Sequence, residues 1–203
     1  MIDRYALPLL RPLFQGAAGE LSRHGITANQ VTFAGFALGL LAALLVAIGW
    51  PGAAIVPLVA GRALDGIDGA LARLSGETDR GAFLDISLDF IFYGAMPLAF
   101  AVHDPAANAL AAATLLAAFV GTGTSFLAFS AVAGKRGLKS TAYPDKAIYY
   151  LGGLAEGGET MACLLAMCWW PQSFAMIAYG FAALCAITTL TRLLAGWRSF
   201  GGE

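Results

Sequence analysis

Long apolar runs dominate the chain, and the charged and turn-forming residues gather in the short segments between them. Val31 to Ile48 holds no charge, follows a Thr27/Gln30 capping-box pattern and stops before Pro51, which predicts a first membrane-spanning helix. A second predicted span runs from Gly52 to about Arg73 and a third from Gly81 to Val102, with Gly76, Glu77, Thr78 and Asp79 as the turn between them. After His103-Asp104-Pro105, residues 106–132 predict a fourth span, whose middle (Gly121, Thr122, Gly123, Thr124, Ser125) is small and polar. A fifth is expected from Lys146 to Trp170 and a sixth from about Ser173 to Ala195. Ahead of them, residues 1–25 interleave Tyr5, Leu7, Leu9, Leu10, Leu13 and Phe14 with Arg4, Arg11 and Arg23. That segment is too short and too charged to span, and suits an amphipathic helix lying among lipid headgroups. Gly35 and Gly39 form a small-x3-small face suited to close helix packing.

Composition agrees with the pattern. Hydrophobic residues make up 59% of the chain and charged residues 12%, against about 25% charged in an ordinary soluble domain. The expected fold is therefore an all-α integral membrane protein, one domain over residues 1–203, with six transmembrane helices over 27–195 preceded by the interfacial segment 1–25. A net charge of −1 gives no case for nucleic acid or another polyanion as partner. Cys163, Cys168 and Cys185 all lie in apolar runs and are odd in number, which predicts buried reduced thiols. Pro8, Arg11 and Pro12 interrupt the first apolar stretch and no small-residue cleavage pattern follows, so a removed signal peptide is not expected.

The basic residues orient the spans. Arg4, Arg11, Arg23, Arg62, Arg73, Arg80, Lys135, Arg136, Lys139, Lys146, Arg192 and Arg198 all fall on or near one face of a six-span arrangement. The opposite loops, around Pro51, His103 to Pro105 and Trp169 to Ser173, carry none. The positive-inside rule makes the basic face, and with it both termini, cytoplasmic. Trp50, Trp169 and Trp170 fall where the opposite aromatic belt belongs.

Against this apolar background, four carboxylates stand out. Asp65 and Asp68 are three residues apart near the end of the second span, and Asp85 and Asp89 four apart near the start of the third, so each pair shares a helix face. A hairpin through the intervening turn would gather all four at similar depth just inside the cytoplasmic face. Clustered carboxylates repel in a low-dielectric setting, and Arg73 alone does not compensate them. Hard divalent ions held through oxygen would, and paired metals suit phosphoryl chemistry, so the residues predict a two-metal site.

The series Asp65, Asp68, Gly69, Ala72, Arg73, Gly81, Asp85, Asp89 reproduces Asp-x2-Asp-Gly-x2-Ala-Arg-x7-Gly-x3-Asp-x3-Asp. This pattern resembles the signature of the CDP-alcohol phosphotransferase (CDP-alcohol phosphatidyltransferase) family, membrane enzymes of phospholipid synthesis, with every fixed position present. The resemblance implies transfer of a phosphatidyl or similar substituted phosphoryl group from a CDP-linked donor such as CDP-diacylglycerol to an alcohol hydroxyl, releasing CMP. It implies two Mg²⁺ or Mn²⁺ ions on Asp65, Asp68, Asp85 and Asp89, with Asp89 also the general base. Gly69, Ala72, Arg73 and Gly81 would serve the nucleotide and phosphates, and a homodimer is expected. After Asp89, the residues Phe90-Ile91-Phe92-Tyr93-Gly94 lack the Asp-Lys or Asp-Arg continuation associated with the glycerol-phosphate and inositol-phosphate branches, leaving a serine-type or another branch open.

Other residues carry two readings each. Glu156 and Glu159 fall mid-span in a glycine-rich stretch, either as hydrogen-bonded acids tying helices together or, for Glu156, as a contact to the acceptor. Lys135, Arg136, Lys139 and Lys146 are topology residues or, with Arg192, a basic pocket for a lipid or acceptor phosphate. His103 falls on the far face and is given no chemistry. The competing function is a cation- or proton-coupled transporter using the intramembrane acids. It would require acids spread through the membrane depth and an internal repeat, and no repeat is seen.

Overall fold

The computed structural model describes residues 3–137 and 153–201, with side chains from Leu10 onward. Helix α1 spans Asp3–Arg23, and Gly25, at φ +72°, turns the chain into α2 (Ala28–Ala47). The capping box forms as expected: the Thr27 amide donates to Gln30 Oε1 at 2.9 Å and the Gln30 amide to Thr27 Oγ1 at 3.4 Å. Gly49, at φ +91°, precedes α3 (Pro51–Ser75), and Gly76, at φ +95°, ends it. Thr78 Oγ1 accepts the Gly81 amide at 3.1 Å and caps α4 (Asp79–His103). Asp104 alone separates α4 from α5 (Pro105–Lys135), its Oδ1 accepting the Ala107 amide at 3.1 Å. Helix α6 is Gly157–Trp169, and a 3₁₀ turn, Pro171–Ser173, leads into α7 (Phe174–Phe200).

Four of these segments are long and apolar enough to cross a membrane: α2, α4, α5 and Pro171–Phe200. Helix α3 has the length but carries Arg62, Asp65 and Asp68 in its body. The expected fifth span differs most. Of Lys146–Trp170, residues 146–152 lie outside the described part, residues 153–156 are not helical, and α6 has 13 residues. At about 1.5 Å per residue it reaches only about 20 Å, against a hydrocarbon core of about 30 Å. Glycine explains the break. Gly153 disfavours helix, and the amides of residues 153–155 find other acceptors. The Gly153 amide donates to Glu156 Oε1 at 2.9 Å, while Leu154 and Ala155 donate to Thr188 Oγ1 of α7 at 3.1 and 3.0 Å. Glu156 is therefore the residue at the N-cap position of α6, not a mid-helix acid.

Helix α2 packs against both α3 and α4, whereas α3 and α4 scarcely touch each other. The expected hairpin turn exists, but its arms diverge around α2. The closeness of α2 comes from its glycines: a Cβ on Gly35 would lie 3.1 Å from the Gly61 carbonyl oxygen, and one on Gly39 would lie 2.7 Å from the Phe92 ring. The small-x3-small face is thus used within the chain. The main core joins α2 to α7 through Val46, Leu58, Met96, Leu115 and Met167, with the Phe100 and Phe174 rings stacked at 4.4 Å. A second cluster seats α1 on α3, where Ala18, Val31, Ala70 and Leu71 are buried and the Phe14 ring covers Gly66. Outside, Val56, Leu110, Met176 and Leu190 are each at least 60% exposed, as lipid-facing side chains are.

Two of the basic residues counted with the cytoplasmic face point into the protein. Arg62 turns into the cleft described below, and Arg192 is buried between α5 and α7. Lys139 and Lys146 lie outside the described residues. The three cysteines are free, as expected.

Candidate metal centre

Because α3 and α4 diverge, a cleft opens between them with α2 as its back wall. Thr32, Gly35, Phe36 and Gly39 of α2 form that wall. Helix α3 contributes Leu58, Gly61, Arg62, Asp65 and Asp68; α4 contributes Asp85, Leu88, Asp89 and Phe92; Met161 of α6 closes one side. All four predicted acids therefore share one cleft, although they come from helices that barely meet.

Carboxylate oxygens of Asp65, Asp68 and Asp85 lie within 4.8 Å of one another. Asp68 is 5% exposed, and its Oδ2 is buried without a hydrogen-bond partner, a costly arrangement for a carboxylate unless a cation completes it. An all-oxygen carboxylate set is the donor chemistry that Mg²⁺ and Mn²⁺ prefer, so these residues fit a hard divalent ion. Asp89 stands outside this trio and faces Arg62: Arg62 Nη1 lies 2.5 Å from Asp65 Oδ2 and 3.9 Å from Asp89 Oδ2. In the sequence alone Arg62 reads only as a topology charge. The signal was present, since Arg62 precedes Asp65 by three residues and so shares its face.

The other motif residues flank the acids along α3 and α4 and are not among the residues lining the cleft. Arg73, exposed in the last turn of α3, lies back across Gly69, where a Cβ would be 3.5 Å from its Nη1. Ala72 is half-buried on the same turn. Gly81 sits in the first turn of α4 beside Thr78 and Asn29, with 3.2 and 3.4 Å to the place of a Cβ.

The remaining candidates are elsewhere. Lys135 and Arg136 are exposed at the end of α5, with Arg136 over the Phe200 ring at 5.2 Å. Arg192 donates to the Thr122 carbonyl at 3.1 Å and lies over Phe126. Glu156 holds the turn before α6. None of these four lines the acidic cleft.

The whole chain has close counterparts among known proteins. It is 48% identical to the Inner membrane protein YnjF of Escherichia coli K12 over 97% of this chain and 96% of that one. Over 40% of its length it is 41% identical to an archaetidylinositol phosphate synthase of Pyrococcus horikoshii, covering 44% of that protein. Its fold is similar to crystal structures of the phosphatidylinositol phosphate synthase PgsA1 of Mycobacterium tuberculosis at 25% identity. The form with CDP-DAG bound matches with TM-score 0.73 over 92% of this chain and 94% of that one. The complex with manganese and citrate matches with TM-score 0.72 over 91% and 88%. A family model, CDP-alcohol phosphatidyltransferase, matches residues 25–190, and with the four motif aspartates lining one cleft the chain belongs to the CDP-alcohol phosphatidyltransferase family.

Proposed function

We propose that this enzyme transfers a phosphatidyl group from CDP-diacylglycerol to the hydroxyl of a small alcohol and releases CMP, with residues 1–203 acting as one catalytic membrane domain. The observation that carries the reading is the trio Asp65, Asp68 and Asp85, with Asp68 Oδ2 buried and without a hydrogen-bond partner. The similar fold of a synthase with CDP-DAG bound supports the donor. Two Mg²⁺ or Mn²⁺ ions, held by Asp65, Asp68, Asp85 and Asp89, would neutralise the diphosphate and stabilise the leaving CMP.

The chain's own residues do the rest. Gly69, Ala72 and Gly81 leave room for the nucleotide to approach the helix backbones, and Arg73 pairs with phosphate. Asp89, set apart from the trio, accepts the proton of the acceptor hydroxyl as its oxygen bonds to phosphorus and the bond from phosphorus to the CMP oxygen breaks. Lys135, Arg136, Arg192 and Glu156 stand outside the cleft; an acceptor or lipid-phosphate role for them rests on their charge.

The site opens on the cytoplasmic side, and both termini share that side. Support comes from the turns around Pro51 and His103, which carry no lysine or arginine and meet at the opposite end where His103 abuts Gly49. Six spans and an interfacial α1 complete the topology. A homodimer follows from the family resemblance, with the glycines of α2 already used inside the protomer.

The test is CMP release by detergent-purified protein given CDP-diacylglycerol and Mg²⁺ or Mn²⁺, with inositol phosphate, serine, glycerol 3-phosphate, inositol and glycerol offered separately. Inositol phosphate leads because of the named relatives, and serine follows because of the Phe90–Gly94 sequence. Release with one acceptor, abolished by EDTA, is expected. Silence with all five would refute the phosphatidyl-transfer reading.

A further inference from the structure

We infer that Arg62 is a resident counter-cation that holds the place of the second metal ion until the nucleotide donor arrives. The inference rests on the two-metal reading of the cleft. Its starting point is an asymmetry among the four acids. Asp65, Asp68 and Asp85 converge on one another, while Asp89 is turned toward a guanidinium that it shares with Asp65. Arg62 Nη1 therefore lies within ion-pair reach of Asp65 on α3 and Asp89 on α4, two of the residues that would hold the second ion.

Charge explains why such a device is useful. Four ionised carboxylates, one guanidinium and one divalent ion leave a single negative charge in the cleft. A second divalent ion would reverse that sign before any diphosphate had entered. A positive empty site would also bind stray phosphates from lipid headgroups or solution. With Arg62 on Asp65 and Asp89, the second ion is favoured only when the negative diphosphate enters and the long, flexible arginine side chain moves off its two acids. Side-chain exposures of 33% for Arg62 and 36% for Asp89 leave room for that exchange. Arg73 does not duplicate the role, since it is exposed across Gly69 and does not line the cleft. Arg62 thus makes loading of the second ion depend on the donor, and acts as a positioning residue.

The experiment counts Mn²⁺ bound to the full chain in detergent by electron paramagnetic resonance, with and without CDP. Wild-type protein should bind one Mn²⁺ without CDP and two with it. Arg62→Met should bind two without CDP, its second ion held more tightly than in wild type because the competing guanidinium is gone. Arg62→Lys, which keeps the charge, should restore dependence on CDP. Should Arg62→Met not insert, Arg62→Gln carries the same comparison. Two equivalent ions in wild type without CDP would overturn the inference, as would a single ion in Arg62→Met, and either would leave the two-metal reading standing if CDP brings the count to two. No Mn²⁺ bound under any condition would overturn both.

Discussion

Replacing Gly61 with alanine tests whether a backbone contact between α2 and α3 sets the geometry of the acids. A Cβ built at Gly61 lies 2.9 Å from the Gly35 carbonyl oxygen, 3.4 Å from Leu38 Cβ and 3.5 Å from the Gly39 amide nitrogen. The closest of these is main chain on a helix, so no side chain can swing aside. Relief requires the two helices to separate by about 0.5 Å, the gap to an ordinary contact. Overpacking of this kind costs about 1–3 kcal/mol. Exchanging glycine for alanine inside a helix returns about 1 kcal/mol. Strain therefore wins, by up to about 2 kcal/mol, and at roughly 2–4 °C per kcal/mol the unfolding midpoint should fall by a few degrees. The same shift moves Asp65, one turn along α3, relative to Asp85 on α4. If a 1 Å misplacement costs about a hundredfold, half of it costs about tenfold in CMP release. Gly16→Ala is the control: Gly16 is exposed in α1 with nothing within 4 Å of a Cβ, so it keeps only the helix gain and should hold or raise the midpoint. Thermal unfolding in detergent and metal-dependent turnover are measured on all three proteins. A Gly61→Ala enzyme as stable and as active as wild type would show that the Gly35–Gly61 approach does not position the acids.

Asp68→Asn and Asp89→Asn should each abolish CMP release while the protein still inserts and elutes as wild type; near-normal turnover in either would remove the two-metal assignment. Thr188→Val leaves the Leu154 and Ala155 amides without their side-chain acceptor and should cost about 1–3 kcal/mol, read as a lowered unfolding midpoint. Glu156→Gln keeps an oxygen for the Gly153 amide and should leave both stability and the acceptor KM unchanged, whereas Glu156→Ala should lower the midpoint alone. A raised KM in Glu156→Gln would return that residue to the acceptor site.

The acids were legible because ionised residues in an apolar helix are rare enough to be read one at a time, and spacings of three and four place them on a face whatever the surroundings. The capping box at Thr27, the turn at Gly76 and the breaks at Pro51 and Pro105 were legible for a similar reason, since each is settled by residues within one helical turn; the helices in fact begin on those prolines. What escaped was settled by partners far along the chain. Residues 153–156 are held out of a helix not by glycine alone but by Thr188, more than thirty residues later, which accepts two of their amides. Hydropathy averages over that stretch and sees only an apolar run. Arg62 escaped because a charge count assigns every arginine to the membrane face, and only the neighbouring acids show that this one turns inward. The divergence of α3 and α4 escaped too, since a short turn suggests a closed hairpin. A closed hairpin would have pressed four carboxylates into direct contact and left no room for substrate. Helix α2 prevents this. Its glycines let it press against α3 at Gly61 and against α4 at Phe92, holding the two acid-bearing helices apart at a fixed distance. The residues that shape this cleft are therefore the uncharged ones behind it. Adding side-chain bulk on α2 should damage catalysis without touching a metal ligand.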